Sequence, residues 1–247
     1  MATSTSTARV AIVTGGSRGI GRQVVERLAA EGYAVVVNYR GNQAEADAAV
    51  QAARAAGGEA IAVAADVADE TAVAALFDTA EQEYGGVDVV VNAAGMMALA
   101  PLADLDLDNL DRLLRVNVRG TFAVDQQAAR RVRRGGAIIN FSSSLTRFAR
   151  PGYSAYAASK GAVSAITLIL ARELRGRDVT VNAVAPGPTG TALFLEGKDE
   201  QTLARMAAEP PLERIGTPED IAELVAFLAG PGRWVNGQVL YANGGAI

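Results

Sequence analysis

Short apolar runs alternate with longer amphipathic segments along most of this chain, and that alternation restricts its fold more than any other feature. Seven runs are typical of β-strands, beginning at Val10, Ala34, Ala60, Val87, Ala137, Val179 and Gln238. Most of them are almost continuously apolar, which indicates strands buried on both faces. Because helical patterns separate the strands, right-handed crossovers are expected. We therefore predict an α/β fold with a doubly wound, seven-stranded parallel sheet and helices on both faces.

The chain is predicted to form one domain over residues 9–247, preceded by a disordered tail at residues 1–8. A chain of 247 residues is long enough for one large core. The longest predicted helix runs from Leu107 to Val132, and the connection from Pro186 to Thr217 is predicted to be long and irregular. Connections of that length are commonly functional or mobile.

Composition excludes several classes of function. The chain has no histidine and no cysteine, which excludes Ser-His-Asp triads, thiol nucleophiles and the usual zinc ligands, so that no metal site is expected. A net charge of -4 argues against a nucleic-acid partner. The clustered Arg130, Arg131, Arg133 and Arg134 are expected to close one helix, where they complement its dipole. The N-terminus lacks a signal-peptide core and no apolar run reaches ~18 residues, which predicts a cytoplasmic protein without a membrane partner.

Tyr156 and Lys160 are the leading candidates for acid–base chemistry in a chain without histidine or cysteine. Their i, i+4 spacing places them on one face of a helix. An ammonium group beside a phenol favours the phenolate and lowers a pKa that is otherwise about 10. The same face continues into Val163 and Thr167, so a purely structural core position is the alternative interpretation.

A glycine-rich segment, Thr14–Gly21, lies between the first predicted strand and the first helix. Glycines allow the backbone to approach a pyrophosphate, and the following helix N-terminus offers free N–H groups and partial positive charge. The spacing of Gly15, Gly19 and Gly21 differs from the usual G-x-G-x-x-G pattern, and an ordinary turn is the alternative. Its place after the first strand of a βαβ unit favours a Rossmann-type dinucleotide site.

The end of the second predicted strand discriminates between cofactors. A site selective for NAD usually has Asp or Glu about 20 residues beyond the glycine loop, whereas this chain has Asn38-Tyr39-Arg40 there. Arg40 and Arg18 could bracket a 2′-phosphate, because a guanidinium group matches phosphate geometry. We therefore expect NADP(H) in preference to NAD(H), the alternative being two solvated surface arginines.

These motifs together resemble the short-chain dehydrogenase/reductase family, of the compact type that includes 3-oxoacyl-carrier-protein reductases. Thr14–Gly21 is similar to the family's TGxxxGxG loop, and 92–95 resembles its NNAG motif with Ala93 in place of the second Asn. Pro186-Gly187 and Thr191 resemble the PGxxxT segment, which in the family holds the nicotinamide carboxamide. The resemblance extends from Val10 to the C-terminus and implies a set of cofactor-binding residues. They are Gly15, Ser17, Arg18, Gly19, Ile20, Gly21, Asn38, Tyr39, Arg40, Asp66, Val67, Asn92, Ala93, Gly95, Tyr156, Lys160, Pro186, Gly187, Thr189 and Thr191.

Four residues fall where the family has its catalytic tetrad: Asn117, Ser143, Tyr156 and Lys160. The resemblance implies that Tyr156 donates or accepts the proton, while Lys160 lowers its pKa and binds the nicotinamide ribose. It also implies that Ser143 donates a hydrogen bond to the substrate oxygen and that Asn117 holds a water molecule which relays protons. Ser143 is chosen among three consecutive serines for its thirteen-residue spacing to Tyr156. A serine-rich loop and a buried amide at a helix kink are the alternatives.

The substrate pocket is expected beside this tetrad, under a lid near residues 188–210 that includes a short amphipathic helix at 193–196. Its candidate lining is apolar and consists of Met96, Leu145, Phe148, Tyr153, Leu193 and Phe194. We predict an oxidoreductase that transfers hydride between NADP(H) and a ketone or aldehyde, or the corresponding secondary alcohol. A 3-oxoacyl-carrier-protein reductase and a non-catalytic dinucleotide sensor are the alternatives. The resemblance also implies a homotetramer, with helix bundles between subunits and the C-terminal 241–247 at another interface.

Overall fold

The computed structural model describes residues 8–247, and within that range seven strands form one parallel sheet in the order β3-β2-β1-β4-β5-β6-β7. The predicted fold class is therefore confirmed. Of the predicted tail, residues 1–7 lie outside the described range. The strands are β1 (Val10–Thr14), β2 (Ala34–Tyr39), β3 (Glu59–Ala64), β4 (Val87–Asn92), β5 (Val132–Phe141), β6 (Thr180–Pro186) and β7 (Val239–Ala242).

The helices divide between the two faces of the sheet and enclose a separate apolar core on each. On one face lie α1 (Gly19–Ala30), α2 (Gln43–Ala55) and α9 (Pro218–Ala229). On the other face lie α3 (Glu70–Tyr84), α5 (Gly120–Arg131) and α6 (Ser154–Glu173). The described residues form three further α-helices, α4 (Leu107–Leu114), α7 (Ala192–Leu195) and α8 (Glu200–Ala208).

The two cores explain why the strands are almost continuously apolar. Val13 and Val37 point into the first core, whereas the adjacent Ile12 and Val36 point into the second. Successive side chains of a strand leave opposite faces of the sheet, so a strand covered by helices on both sides needs an apolar residue at every position.

The predicted helix from Leu107 to Val132 is interrupted by a π-helical turn at Arg115–Arg119. Such turns insert an extra residue and are frequent at functional sites. Asn117 lies within this turn and is only 1% exposed. Its amide hydrogen-bonds the backbone of Met96 twice, which provides partners that a regular helix would not place there.

The prediction that four arginines close one helix is wrong for two of them. Helix α5 ends at Arg131, which forms an ion pair with Asp78 at 2.6 Å, whereas Arg133 and Arg134 belong to β5. The guanidinium group of Arg133 binds the buried Asp88 near the start of β4, with Nε 2.9 Å from Oδ1. Partners on neighbouring elements therefore determine where the helix ends.

The connection from Pro186 to Thr217 is more regular than predicted. Helix α7 nearly coincides with the short helix expected at 193–196, but α8 was not predicted. Helix α8 begins at an N-cap, because the Asp199 carboxylate accepts a hydrogen bond from the Thr202 N–H at 2.8 Å. A parallel bridge between Thr189 and Gly216 brings the two ends of the connection together.

Helix α6 is long and apolar enough to cross a membrane, judged only by its 20 residues and a mean hydropathy of 1.3. Its inner side, with Val163, Thr167 and Leu170, is buried against the sheet, as in the core helices of globular domains. Its outer side leaves Leu168 and Ile169 exposed. The absence of a membrane partner remains a prediction.

Candidate active site

One elongated cavity of about 650 Å³ follows the carboxyl ends of the strands, where ligands bind in open parallel sheets. Its volume lies in the range of about 300–1,000 Å³ typical of small-molecule sites. One end is bordered by Arg40 and Asp66, and the other by Phe194 and Met206. The predicted site residues line this cavity with two exceptions, Asn92 and Asn117.

The glycine loop after β1 forms a cradle that side chains would fill. A Cβ atom on Gly21 would lie 2.2 Å from the Gly15 carbonyl oxygen, and Gly15 itself has a φ of +64° and lies against Ala94. The first turn of α1 has no acidic residue and no side-chain cap, which leaves its N–H groups available to an anion. The loop therefore fits the pyrophosphate of a dinucleotide.

The end of the cavity beyond this loop carries both signs of charge. Arg18 and Arg40 are exposed there, and Arg40 lies 3.9 Å from the Asp66 carboxylate, too far for a hydrogen bond. Within the described chain, the acidic residues lining this cavity are Asp66 and Glu45. Asn38 borders the cavity, but its side-chain amide donates to the Ala65 carbonyl at 3.0 Å and joins β2 to the end of β3.

Ser143, Tyr156 and Lys160 all line this cavity, because β5 ends and α6 begins beside it. The Ser143 hydroxyl faces the phenol of Tyr156. Lys160 Nζ lies 6.0 Å from the centre of the Tyr156 ring and donates to the Phe141 carbonyl at 2.7 Å. The spacing read from the sequence therefore corresponds to a real juxtaposition of hydroxyl, phenol and amine.

The neighbouring serines are committed to other contacts. The Ser142 hydroxyl donates to the Lys160 carbonyl at 3.1 Å, and the Ser144 hydroxyl donates to the Ala185 carbonyl at 3.1 Å. Ser143 Oγ accepts only a backbone hydrogen bond from Leu145 besides its contact with Tyr156. Ser143 is consequently the serine best placed to bind a ligand oxygen.

Burial controls the ionisation of the two central groups. It raises the pKa of Tyr156 to about 12, although the facing Ser143 hydroxyl opposes this rise. It also lowers the pKa of Lys160 to about 8. The expectation that Lys160 lowers the Tyr156 pKa is not met, because desolvation of the phenol outweighs other effects and the amine binds Phe141. Tyr156 is held as a protonated phenol at neutral pH.

Asn117 lies behind the cavity wall and acts as a clamp. Its Oδ1 accepts from the Met96 N–H at 2.9 Å, and its Nδ2 donates to the Met96 carbonyl at 2.9 Å and to Ser159 Oγ at 3.1 Å. Ser159 in turn donates to the Tyr156 carbonyl at 2.7 Å. Asn117 thus links the loop after β4 to the turn of α6 that carries Tyr156, and its role as a water-holding residue remains a prediction.

The six predicted substrate-side residues all line the far end of the cavity. Four residues outside the predicted lining also lie there: Met97, Val116, Arg150 and Met206. The apolar face of α8 could have indicated Met206. Arg150 pairs with Glu209, just after α8, so the charged side chain in this apolar region is neutralised.

Asn92 is the one predicted cofactor-binding residue that does not line the cavity. It is 4% exposed, and its Oδ1 accepts a hydrogen bond from Thr14 Oγ1 at 3.1 Å. Position 92 is the last residue of β4, where the side chain points into the core below the cavity rather than into it. A direct contact with a dinucleotide is therefore not supported by its position.

Comparison with known proteins is consistent with this site. A family model described as enoyl-(acyl carrier protein) reductase matches residues 15–246. A short-chain type dehydrogenase/reductase of Picea abies is 46% identical, covering 97% of this chain and 92% of the relative. An NADPH-dependent aldehyde reductase-like chloroplastic protein of Arabidopsis thaliana is 41% identical, covering 97% and 94%. A solved short-chain dehydrogenase from Burkholderia cenocepacia in complex with NADP has a TM-score of 0.90 and 42% identity, covering 96% and 97%.

Proposed function

Because the chain belongs to the short-chain dehydrogenase/reductase family, we propose that it reduces apolar ketones or aldehydes with NADPH, using Tyr156 as the proton donor. As a family member it is an NAD(P)-dependent oxidoreductase. The observation that carries the proposal is the convergence of Ser143, Tyr156 and Lys160 in one cavity with the glycine loop. The names of its relatives, an NADPH-dependent aldehyde reductase-like protein among them, support the choice of reaction.

The residues of this chain account for the movement of the proton. NADPH, when bound, supplies a hydride to the carbonyl carbon. The carbonyl oxygen then becomes negative, and the Ser143 hydroxyl is placed to donate a hydrogen bond to it. Tyr156 transfers its phenolic proton to that oxygen, which completes the alcohol. A pKa raised to about 12 keeps this proton on Tyr156 until the oxygen becomes basic.

NADP(H) is proposed over NAD(H) because of the two arginines at the distal end of the cavity. Arg18 and Arg40 both extend from exposed positions beside the loop, where a 2′-phosphate would be accessible to them. A charged hydrogen bond contributes about 1.5–3 kcal/mol, so Arg40→Ala should weaken NADPH binding by about 10-fold or more. NADH binding should change little, and equal losses for both cofactors would contradict a phosphate-binding role. Arg22→Ala, on the first turns of α1, serves as the charge-matched control.

The apolar far end of the cavity supports a neutral, apolar substrate. Methionine, leucine and phenylalanine side chains surround this end of the cavity. Within the described chain, the one cationic side chain beside them is Arg150, which is paired with Glu209. A carboxylate or phosphate on the substrate would therefore meet no free positive charge there. Rates with neutral aromatic and aliphatic aldehydes and ketones, followed by the loss of NADPH absorbance, should exceed those with keto acids. An acetoacetyl thioester in the same panel tests for carrier-protein reductase activity.

Tyr156→Phe tests the mechanism. Removal of the phenolic proton should lower the turnover number by about 10²–10⁴, the usual contribution of general acid catalysis. NADPH affinity should remain close to that of the unmodified enzyme, because the ring is retained. Tyr84→Phe, on α3, is the control for the loss of a tyrosine hydroxyl elsewhere. Unchanged turnover in Tyr156→Phe would exclude the proposed proton donor.

A homotetramer is proposed from the outer faces of α5 and α6. Phe122, Leu168 and Ile169 are 57%, 43% and 58% exposed there, which is costly for large apolar side chains unless a partner covers them. Ile169→Glu should dissociate the assembly, as measured by sedimentation velocity. A species of 25.5 kDa before any substitution would contradict the tetramer.

A further inference from the structure

A row of buried polar side chains crosses the sheet directly below the cavity floor. Thr14, Asn92 and Asn140 are cross-strand neighbours at the carboxyl ends of β1, β4 and β5. Their exposures are 0%, 4% and 0%. The residue that follows each of them, at positions 15, 93 and 141, lines the cavity. A shift of this row would therefore move the floor on which a ligand rests.

The row connects to the loops that border the cavity. Thr14 Oγ1 donates to Asn92 Oδ1 at 3.1 Å and accepts from the Ala94 N–H at 3.1 Å. The Ala94 backbone in turn packs against Gly15, where an added Cβ would lie only 2.9 Å from Ala94 Cα. The Thr14 hydroxyl, bound to Asn92, thus joins the end of β1 to the loop after β4.

Asp125 of α5 approaches this row from below. Its carboxyl group is 3% exposed, and Oδ2 accepts a hydrogen bond from Asn140 Nδ2 at 2.9 Å. Asn140 Nδ2 also donates to Thr167 Oγ1 of α6 at 3.0 Å. The Asn92 amide faces the carboxyl group as well, although its Nδ2 lies outside hydrogen-bond geometry to any partner within the described chain.

Among the described residues, no charged group of the surrounding elements faces Asp125. From β4, β5 and α6 it meets the neutral side chains of Asn92, Asn140 and Thr167. Arg131 of α5 and Arg119 of the preceding π-helical turn form surface ion pairs with Asp78 and Glu70 of α3. On α6 the buried Lys160 lies about two helical turns before Thr167. An ionised Asp125 would consequently be a buried charge without a counter-ion, which is strongly unfavourable.

Two oxygen atoms in this cluster have no donor among the described residues: Asp125 Oδ1 and Asn140 Oδ1. A single proton on Asp125 Oδ1 can satisfy both, because a carboxylic acid and a primary amide can form two antiparallel hydrogen bonds. The acid O–H would donate to Asn140 Oδ1, while Asn140 Nδ2 donates to Asp125 Oδ2 as observed. Burial acts in the same direction, since it raises the pKa of Asp125 to about 7.

We propose that Asp125 is a positioning residue for the dinucleotide site, held as a neutral carboxylic acid that pairs with Asn140 and faces the Asn92 amide beneath the cavity floor. The proposal rests on the proposed function only in taking NADPH as the ligand. Ionisation of Asp125 would break its donor bond to Asn140 and disturb the row. NADPH affinity should therefore decrease as the pH rises through neutrality.

Infrared spectroscopy and cofactor binding test this proposal without turnover. At about pH 6 the difference spectrum between the unmodified protein and Asp125→Asn should contain the carbonyl stretch of one protonated carboxylic acid, which disappears at about pH 9. Asp125→Asn replaces the acid O–H by an N–H donor and should bind NADPH within about 2-fold of the unmodified protein at pH 6. Asp125→Ala should bind it about 10-fold more weakly, within the range measured for coupled neighbours. Binding is measured by the fluorescence of NADPH itself.

The pH series distinguishes a positioning role from a general loss of stability. The unmodified protein should lose NADPH affinity several-fold more than Asp125→Asn between about pH 6 and pH 9, and titration of the cofactor phosphate is common to both. Absence of the infrared band, equal pH profiles, or full NADPH affinity in a folded Asp125→Ala would each overturn the proposal. A protein that binds NADPH but reduces no carbonyl compound would overturn only the proposed function. Absence of NADPH binding would overturn both.

Discussion

Gly21→Ala is the substitution for which the structure predicts the sharpest effect on cofactor binding. The new Cβ would lie 2.2 Å from the Gly15 carbonyl oxygen and 2.9 Å from its carbonyl carbon. The distance to the oxygen is about 1 Å shorter than an ordinary van der Waals contact. Both atoms belong to the backbone and Gly15 is itself packed against Ala94, so no flexible side chain can yield. The loop must move by roughly the distance that is missing.

The magnitude follows from that displacement. Overpacking of a well-packed site costs about 1–3 kcal/mol of stability. A misplacement of bound groups by about 1 Å can lower the catalytic rate about 10²-fold. We expect Gly21→Ala to fold with a reduced melting temperature and to bind NADPH at least 10-fold more weakly. Differential scanning calorimetry and a fluorescence titration with NADPH measure the two effects.

Gly161→Ala provides the matched control, since it is the same substitution in the interior of α6. Apart from the backbone of α6 itself, no atom of the described residues within one chain lies within 4 Å of the added Cβ there. Alanine is favoured over glycine in a helix by about 0.5–1 kcal/mol, so this variant should keep its NADPH affinity and gain stability. A Gly21→Ala protein with unchanged NADPH affinity would refute the argument that this cradle holds the cofactor.

Three further predictions concern ionisation and helix capping. Because burial lowers the pKa of Lys160 to about 8, its ammonium is lost as the pH rises through that value. Because this ammonium is expected to bind the nicotinamide ribose, NADPH affinity should decline there, whereas Lys160→Arg should show no such decline, and a common profile would exclude this cause. Burial raises the pKa of Asp125 from 3.8 to about 7. The folded state therefore binds this proton more tightly than the unfolded chain, and the resulting stabilisation is complete below about pH 4 and lost as the pH rises through 7. Urea unfolding should show the advantage of the unmodified protein over Asp125→Asn decreasing by about 3 kcal/mol from about pH 5 to pH 8, and parallel pH profiles would contradict it. Thr217 and Asp220 form a capping box at the start of α9, so Thr217→Ala should cost about 1 kcal/mol in the same assay, and no loss would argue against the cap.

The predicted site residues were largely found together because they follow strands. In a parallel sheet the carboxyl ends of all strands meet at one edge, so Gly15, Asp66, Ser143 and Gly187 converge without any contact being known beforehand. The i, i+4 spacing of a helix is equally local. Motifs of this kind can therefore be assembled into a site from the sequence alone.

The side-chain directions of two predicted site residues could not be read from the sequence. Asn92 belongs to a motif that surrounds the cavity, yet its side chain alternates into the core and bonds Thr14. Asn117 turns inward because a π-helical turn shifts the register of its helix. Both outcomes depend on partners that are distant in sequence, Thr14 in one case and Met96 in the other.

The sequence by itself determined the parallel sheet, the order of its motifs and the residues that meet at its edge, because each of these depends on local periodicity and on the ends of strands. Only the tertiary structure decided the protonation of the central groups, because desolvation depends on what packs around a side chain. Burial holds Tyr156 as a phenol, lowers the pKa of Lys160 and raises that of Asp125. No pattern along the chain shows that a carboxyl group of α5 lies buried among amides beneath the cavity.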